Sequence, residues 1–231
     1  LVPTRTGLGT SSAMIVGLIN CINKYKNLKL SQKQIINHAY IIERKICKIH
    51  GGWQDQIVSQ YGGILNIKIS KKEKINVKKI PITIKNNKLI RNNFLLIYTN
   101  IKRDSSKVIL SQKKRKNSII KHYDKIKLLN QPILKSFKNG NAKHIGEMFN
   151  YHWKLKKGLS DEITDKKIDN FYKDLIYKYQ ILGGKLIGAG GGCFFLDWVK
   201  NKKKICKILD EDRVNYIDFD IEKDGSKVLN S

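Results

Sequence analysis

The chain has 231 residues, 41% of them hydrophobic, and a formal net charge of +27 from 46 Lys+Arg against 19 Asp+Glu. That length accommodates one large or two modest domains, and the apolar content supplies a core, which excludes global disorder. No apolar run approaches the roughly 20 residues of a bilayer span, and no basic segment followed by an apolar one opens the chain, so the expectation is a cytoplasmic protein without a membrane partner.

The lysines are spread along the chain among Ile and Asn and are not gathered in a stripe. That is a weak footprint for nucleic acid, so no nucleic-acid partner is expected. A basic protein still attracts a phosphorylated substrate and a nucleoside triphosphate. Cys21, Cys47, Cys193 and Cys206 lack CxxC spacing and read as buried thiols of a reduced protein. The five histidines are dispersed, without a pair at ligand spacing on a helix.

In chain order, the first element is a glycine loop, Pro3-Thr4-Arg5-Thr6-Gly7-Leu8-Gly9-Thr10-Ser11-Ser12-Ala13, opening an apolar helix over residues 13–19. Free backbone N–H groups and the positive end of the helix dipole then meet at one spot, an anion site whose usual occupant is phosphate. Glycine at positions 7 and 9 lets phosphate oxygens approach the backbone. It is neither a Walker loop, which needs a Gly-Lys-Ser/Thr end, nor a dinucleotide fingerprint, because Ser12 stands where the third glycine belongs. An ordinary capped helix start is the plainer alternative. The chain begins at Leu1, without methionine and already inside this loop, so a fragment or the latter part of a longer protein is expected.

Ser31 and Gln34 form a capping box for a second helix running to about His50, which Gly51-Gly52 ends. Residues 64–69 alternate as a strand, and 75–84 supply one or two more. A domain boundary is expected in the polar stretch 85–93, giving domains 1–90 and 91–231. Residues 94–99 form an apolar run suited to a central strand. Helices are expected over 106–130, broken or kinked at Pro132, and over 142–157 and 165–182. Strands at 185–187 and 193–196 flank Gly188-Ala189-Gly190-Gly191-Gly192, followed by a helix over 202–209 and a strand over 214–221.

Two carboxylates stand out. Glu43 lies mid-helix among Ile41, Ile42 and Ile46, where it needs a partner or a metal unless it faces solvent beside a basic residue. Asp55 follows the Gly-Gly turn between Gln54 and Gln56, which suits either a carboxylate at a cleft or a plain turn aspartate. Beside a phosphate loop, one carboxylate suits Mg²⁺ and the other suits taking the proton of an attacking hydroxyl. The five small residues at 188–192 weaken any strand and permit close backbone approach to a ligand or to the first loop.

Pro3-x-x-x-Gly7-Leu8-Gly9-Thr10-Ser11-Ser12-Ala13 resembles the second signature motif of the GHMP kinases (galacto-, homoserine, mevalonate and phosphomevalonate kinases). Lys185-Leu186-Ile187-Gly188-Ala189-Gly190-Gly191-Gly192-Cys193 resembles their third, and the likeness covers essentially the whole chain. Within the superfamily, Gln54-Asp55-Gln56, Tyr98-Thr99-Asn100-Ile101-Lys102-Arg103 and His152-Trp153-x-Leu155-Lys156 most resemble the heptose 7-phosphate kinases. Gly52-Trp53-Gln54-Asp55-Gln56 also resembles the kinase part of fucokinases.

The resemblance implies an α+β fold, a ribosomal-S5-like N-terminal part, truncated, followed by a ferredoxin-like domain, with the active site between them. It implies ATP and Mg²⁺. Gly7, Leu8, Gly9, Thr10, Ser11 and Ser12 would wrap the triphosphate, Ser12 and Glu43 would stand at the metal, and Asp55 would be the catalytic base. Gly188, Ala189, Gly190, Gly191 and Gly192 would shape the substrate side, with Arg103, and with Lys102 beside it, toward the substrate's phosphate. The expected reaction is phosphorylation of the anomeric hydroxyl of a heptose 7-phosphate, a sugar phosphate substrate. The alternatives are a fucose- or galactose-type sugar-1-kinase, or a non-catalytic remnant. A homodimer is left open. Three departures from the pattern are the absence of the family's first motif, Thr10 in place of a frequent serine, and Cys193 in place of a further glycine.

Overall fold

The computed structural model describes residues 7–70, 72, 74–101 and 105–229. The chain divides into two units, Gly9–Thr83 with Ile221–Ser231, and Leu1–Leu8 with Ile84–Asp220.

In the first of these, α1 (Thr10–Tyr25) buries Ser12, Val16 and Ile19, one stripe at helical spacing. Val16 and Ile19 pack with Ile35 and Ala39 of α2 (Gln32–Tyr40) in a small core. The Ser31 capping box forms as expected: Ser31 accepts from the Gln34 amide, and the Ser31 amide donates to the Gln34 side chain at 2.9 Å. The expected single helix to His50 does not stay α-helical. After Tyr40 the backbone widens to a π-helical turn, Ile41–Ile46, where the Cys47 amide donates to the Ile42 carbonyl at 2.8 Å. Apolar spacing does not reveal this, because Ile42 and Ile46 on either side of Glu43 stay four apart and still read as helical. Next come α3 (Gln54–Tyr61) and the antiparallel pair β1 (Ile64–Ile69) and β2 (Ile75–Ile80), with Ile64 opposite Ile80.

In the other unit the polar stretch 85–93 is helical, as α4 (Ile84–Asn93), with Asn86, Leu89 and Ile90 buried. Its strands are β3 (Phe94–Tyr98), β4 (Gly183–Leu186), β5 (Phe194–Trp198) and β6 (Tyr216–Ile217). They form one antiparallel sheet in the order β4-β5-β3-β6. With helices crossing from β3 to β4 and from β5 to β6, this is the split βαβ, ferredoxin-like arrangement. The helical middle is α5 (Ser105–Lys114), α6 (Lys116–Leu128), α7 (Asn130–Asn139), α8 (Ala142–Lys157) and α9 (Lys166–Tyr177), with α10 (Lys202–Glu211) after β5. Pro132 falls in the first turn of α7, where its missing N–H removes no helical bond. Helix α9 stops short of Leu182, as Gln180 turns left-handed with φ 54°. The last strand shrinks to two residues.

Leu95, Ile97, Trp153, Leu186, Phe195 and Leu209 build the main core against this sheet. The reading of buried thiols holds only for Cys193: Cys206 is half-buried, and Cys21 and Cys47 are exposed. All four are free, so none is a disulfide staple. Among the described residues no helix is long and apolar enough to cross a membrane.

Asp197 is an exception to the apolar core. It lies on β5 opposite Leu95 and Gly184, is 0% exposed, and among the described residues neither carboxyl oxygen has a hydrogen-bond partner. Burial pushes its pKa well above the usual carboxylate range. A folded pKa raised in this way gives stability that is present below about pH 4 and lost as pH rises through the folded value. Asp197→Asn is therefore expected to stabilise the chain at pH 7 by about 1–3 kcal/mol and to change little at pH 4. Thermal melts at the two pH values check this; identical midpoints at pH 7 would refute it.

Candidate active site

Helix α1 starts without a side-chain cap. Gly9 is its N-cap, left-handed at φ 72°, and the Ala13 amide takes the Gly9 carbonyl as the first helical bond. The preceding amides of Thr10, Ser11 and Ser12 lie before the point where helix geometry supplies carbonyl partners, and they point out of the helix start. An anion binds such a terminus through these groups and the helix dipole.

Glu43 sits at the centre of the side chains around this terminus. It is 1% exposed, on the π-helical turn 41–46. Ser11 donates to one carboxylate oxygen and Ser12 to the other, each at 2.6 Å. The Gln56 amide group donates to the Ser12-bonded oxygen at 2.5 Å, and the Arg44 guanidinium lies 3.3 Å from the other. Burial alone would raise the Glu43 pKa; the bonds from Ser11 and Ser12, the Arg44 charge and Gln56 together outweigh it and leave the carboxyl below its ordinary range. The solvent-facing alternative for Glu43 is thus excluded. π-Turns recur at functional sites because they redirect one side chain out of helical register.

Arg44 also ties Glu43 to the turn ahead of Asp55. Its guanidinium donates to the Gly52 carbonyl at 3.1 and 3.3 Å. A Cβ on Gly51 would fall 2.5 Å from the guanidinium carbon, so glycine there leaves room for it. Tyr40 and Trp53 stack face to face, centroids 3.5 Å apart, and brace the same turn.

Asp55 lies in the first turn of α3, half-buried, against the α1 start. A Cβ built on Gly9 would stand 3.3 Å from both Cβ and Cγ of Asp55. Burial raises the Asp55 pKa; the Arg44 charge opposes this and Glu43 adds to it. The carboxyl is thereby shifted toward the range of a working base. Gly9→Ala would place a side chain at positive φ and press on Asp55. It is expected to lower stability by about 1–2 kcal/mol in denaturant unfolding, whereas an unchanged midpoint would contradict this packing.

In the other unit, residues 188–192 are a chain of positive-φ positions: Gly188 at 66°, Gly190 at 121°, Gly191 at 83° and Gly192 at 133°, followed by Cys193 at 80°. Gly188 backs directly on Gly7: a Cβ on it would lie 3.2 Å from the Gly7 Cα. Of the two close approaches that the small residues permit, to a ligand or to the first loop, Gly188 makes one to Gly7. The Gly191 amide donates to the Ile163 carbonyl at 2.7 Å and the Cys193 amide to the Ile101 carbonyl at 2.8 Å. Lys102 and Arg103 lie outside the described residues.

Sequence reasoning singled out Ser12, Glu43 and Asp55, and the fold brings each of them to the α1 start. It passed over Ser11 and Gln56 as Glu43 partners, and Arg44 altogether. The adjacent positions 43–44 and 55–56 were the available signal. The oxygen donors of Ser12 and Glu43 suit a hard cation such as Mg²⁺, which commonly takes one or two carboxylates and completes its shell from substrate phosphates and water. Among the described residues there is no group of three or more His, Cys, Asp or Glu side chains that could hold a metal ion.

Residues 1–63 match the family model of the GHMP kinases N terminal domain. The D-glycero-alpha-D-manno-heptose 7-phosphate kinase of Campylobacter jejuni is 30% identical over 98% of this chain and 68% of its own length. Among solved structures, a D-glycero-D-manno-heptose 1-phosphate kinase from Bacteroides thetaiotaomicron superposes with TM-score 0.78 over 99% of this chain at 20% identity. The mevalonate kinase of Methanococcus jannaschii superposes with TM-score 0.70 over 96% at 26% identity. The chain spans 66% of the length of each of these two structures. With sequence likeness carried along nearly its full length and the fold in agreement, the chain belongs to the GHMP kinases.

Proposed function

We propose that the protein is an ATP-dependent sugar kinase that phosphorylates the anomeric hydroxyl of a heptose 7-phosphate. One observation carries most of this reading: a buried carboxylate, Glu43, gathers Ser11, Ser12 and Gln56 at an uncapped helix start on which Asp55 also packs. The 30% identity with a heptose 7-phosphate kinase supports the choice of acceptor.

In this reading the amides of residues 7–12 take the triphosphate oxygens. Ser12 and Glu43 would hold Mg²⁺, which supplies neutralisation of charge on the β- and γ-phosphates. Asp55 accepts the proton of the acceptor hydroxyl as its oxygen bonds to the γ-phosphorus. The bond from that phosphorus to the bridging oxygen breaks, and ADP leaves with the electron pair. Arg44 keeps the Gly51-Gly52 turn in place, and with it the start of α3. Residues 188–192 would shape the acceptor side, and Arg103 would meet the sugar's own phosphate.

The test is ADP release from ATP and Mg²⁺ with a panel of heptose, fucose, galactose and their phosphates. Turnover restricted to heptose 7-phosphate, with the product phosphorylated at the anomeric oxygen, is the expected result. Preference for fucose or galactose would reassign the acceptor. ATP binding without turnover on any sugar would favour a non-catalytic remnant.

A further inference from the structure

Lysine is almost never fully buried, yet Lys156 at the end of α8 is 7% exposed. Among the described residues its ammonium meets no carboxylate; it donates to two backbone carbonyls, Leu186 at 2.8 Å and Gly188 at 2.6 Å. An apolar residue of similar volume would fill this space without the desolvation penalty of a charge, so stability alone does not account for the lysine. The two carbonyls lie where β4 gives way to the glycine loop. That loop is tied at Gly191 to Ile163 and at Cys193 to Ile101, while Lys156 ties its near end. Gly188 is also the residue that backs on Gly7.

We infer that Lys156 is the positioning residue of the glycine loop: its ammonium grips the carbonyls of Leu186 and Gly188, and through Gly188 it sets where Gly7 lies. The inference rests on the kinase reading for its consequence in turnover, but the grip itself is independent of that reading. Charged N–H donors make bonds about twice as strong as neutral ones, so the grip weakens when the lysine loses its proton. Burial, aided by the charge of Lys185, brings the Lys156 pKa down to about 7. The groups facing it are Lys185 on β4 and His152 one turn back on α8; His152, at about 3, stays neutral near pH 7. Loop order should therefore fall as pH rises through about 7.

The test compares the unaltered chain with Lys156→Met and Lys156→Arg by amide hydrogen exchange and steady-state kinetics. In Lys156→Met the amides of 187–193 should lose protection while those of β5 keep it, and kcat should fall about 10- to 100-fold with little change in KM. Lys156→Arg should recover most of kcat, and the fall in kcat/KM above pH 7 should vanish, because a guanidinium does not titrate there. Lys185→Met should move that fall to higher pH, since a neighbouring positive charge is gone.

Unchanged loop exchange in Lys156→Met would overturn the inference, as would equal acceleration in loop and core. Should Lys156→Met fail to fold, the Lys156→Arg profile and the pH series on the unaltered chain decide the same question. A chain without kinase activity would defeat the functional reading, while loop exchange would still decide the role of Lys156.

Discussion

Asp55→Asn is expected to slow phosphoryl transfer by about 100-fold or more while leaving ATP affinity within about twofold. Asparagine keeps the shape that packs against Gly9, where a Cβ built on the glycine would stand 3.3 Å away, so the α1 start should not move. What it loses is the ability to take a proton. The loss should fall on kcat, since the base acts only as the acceptor oxygen attacks. The unaltered enzyme should also lose kcat/KM on the acid side as Asp55 is protonated. Burial, opposed by Arg44 and reinforced by Glu43, places that limb above the ordinary aspartate value. The variant's residual activity should lack the limb. Turnover near the unaltered rate, or an acid limb that survives the substitution, would remove Asp55 from its role.

The second large effect is expected at Glu43. Glu43→Gln replaces an acceptor-only carboxylate with one oxygen and one NH₂ group. Ser11, Ser12, Gln56 and Arg44 all present donors or positive charge to it. A donor that served the carboxylate must then turn round to accept or be left facing the new NH₂ group inside a buried site, the latter costing about 1–3 kcal/mol. The negative charge suited to Mg²⁺ is lost as well. The Mg²⁺ concentration giving half-maximal turnover should rise about tenfold or more, together with a lower unfolding midpoint. The stability difference should itself depend on pH. A depressed folded pKa gives stability present above the unfolded carboxylate value and lost as pH falls through the folded one. The gap between the two proteins should therefore close toward low pH. A Mg²⁺ titration superposable on that of the unaltered chain would separate Glu43 from the metal.

Much of the local structure was legible in the sequence because its causes are local. Ser31 and Gln34 announced their capping box, and the alternation over 64–69 became β1. The apolar run over 94–99 became β3, a central strand of its sheet. The boundaries that shifted did so for tertiary or geometric reasons. A helix that stops at Tyr177 ahead of left-handed Gln180, a helix over the polar stretch 84–93 and the π-turn at Glu43 leave little trace in apolar spacing. The exposure of Cys21 and Cys47 likewise depends on which face of each helix finds a partner, and thiols carry no strong preference that would reveal it.

By itself the sequence determined which residue types could do chemistry here: a glycine loop ahead of a helix, two carboxylates and a second glycine loop, because backbone freedom and ionisable groups are properties of single residues. Only the tertiary structure decided that Glu43 faces inward. That took the π-turn to rotate it, Arg44 to pin the following turn, and two serines and a glutamine to satisfy its oxygens. It also decided that Asp55 packs on Gly9 and that Lys156 reaches Gly188. These are contacts between residues up to 46 positions apart in the first unit, as Asp55 is from Gly9, and 32 apart for Lys156 and Gly188, and no local pattern encodes them.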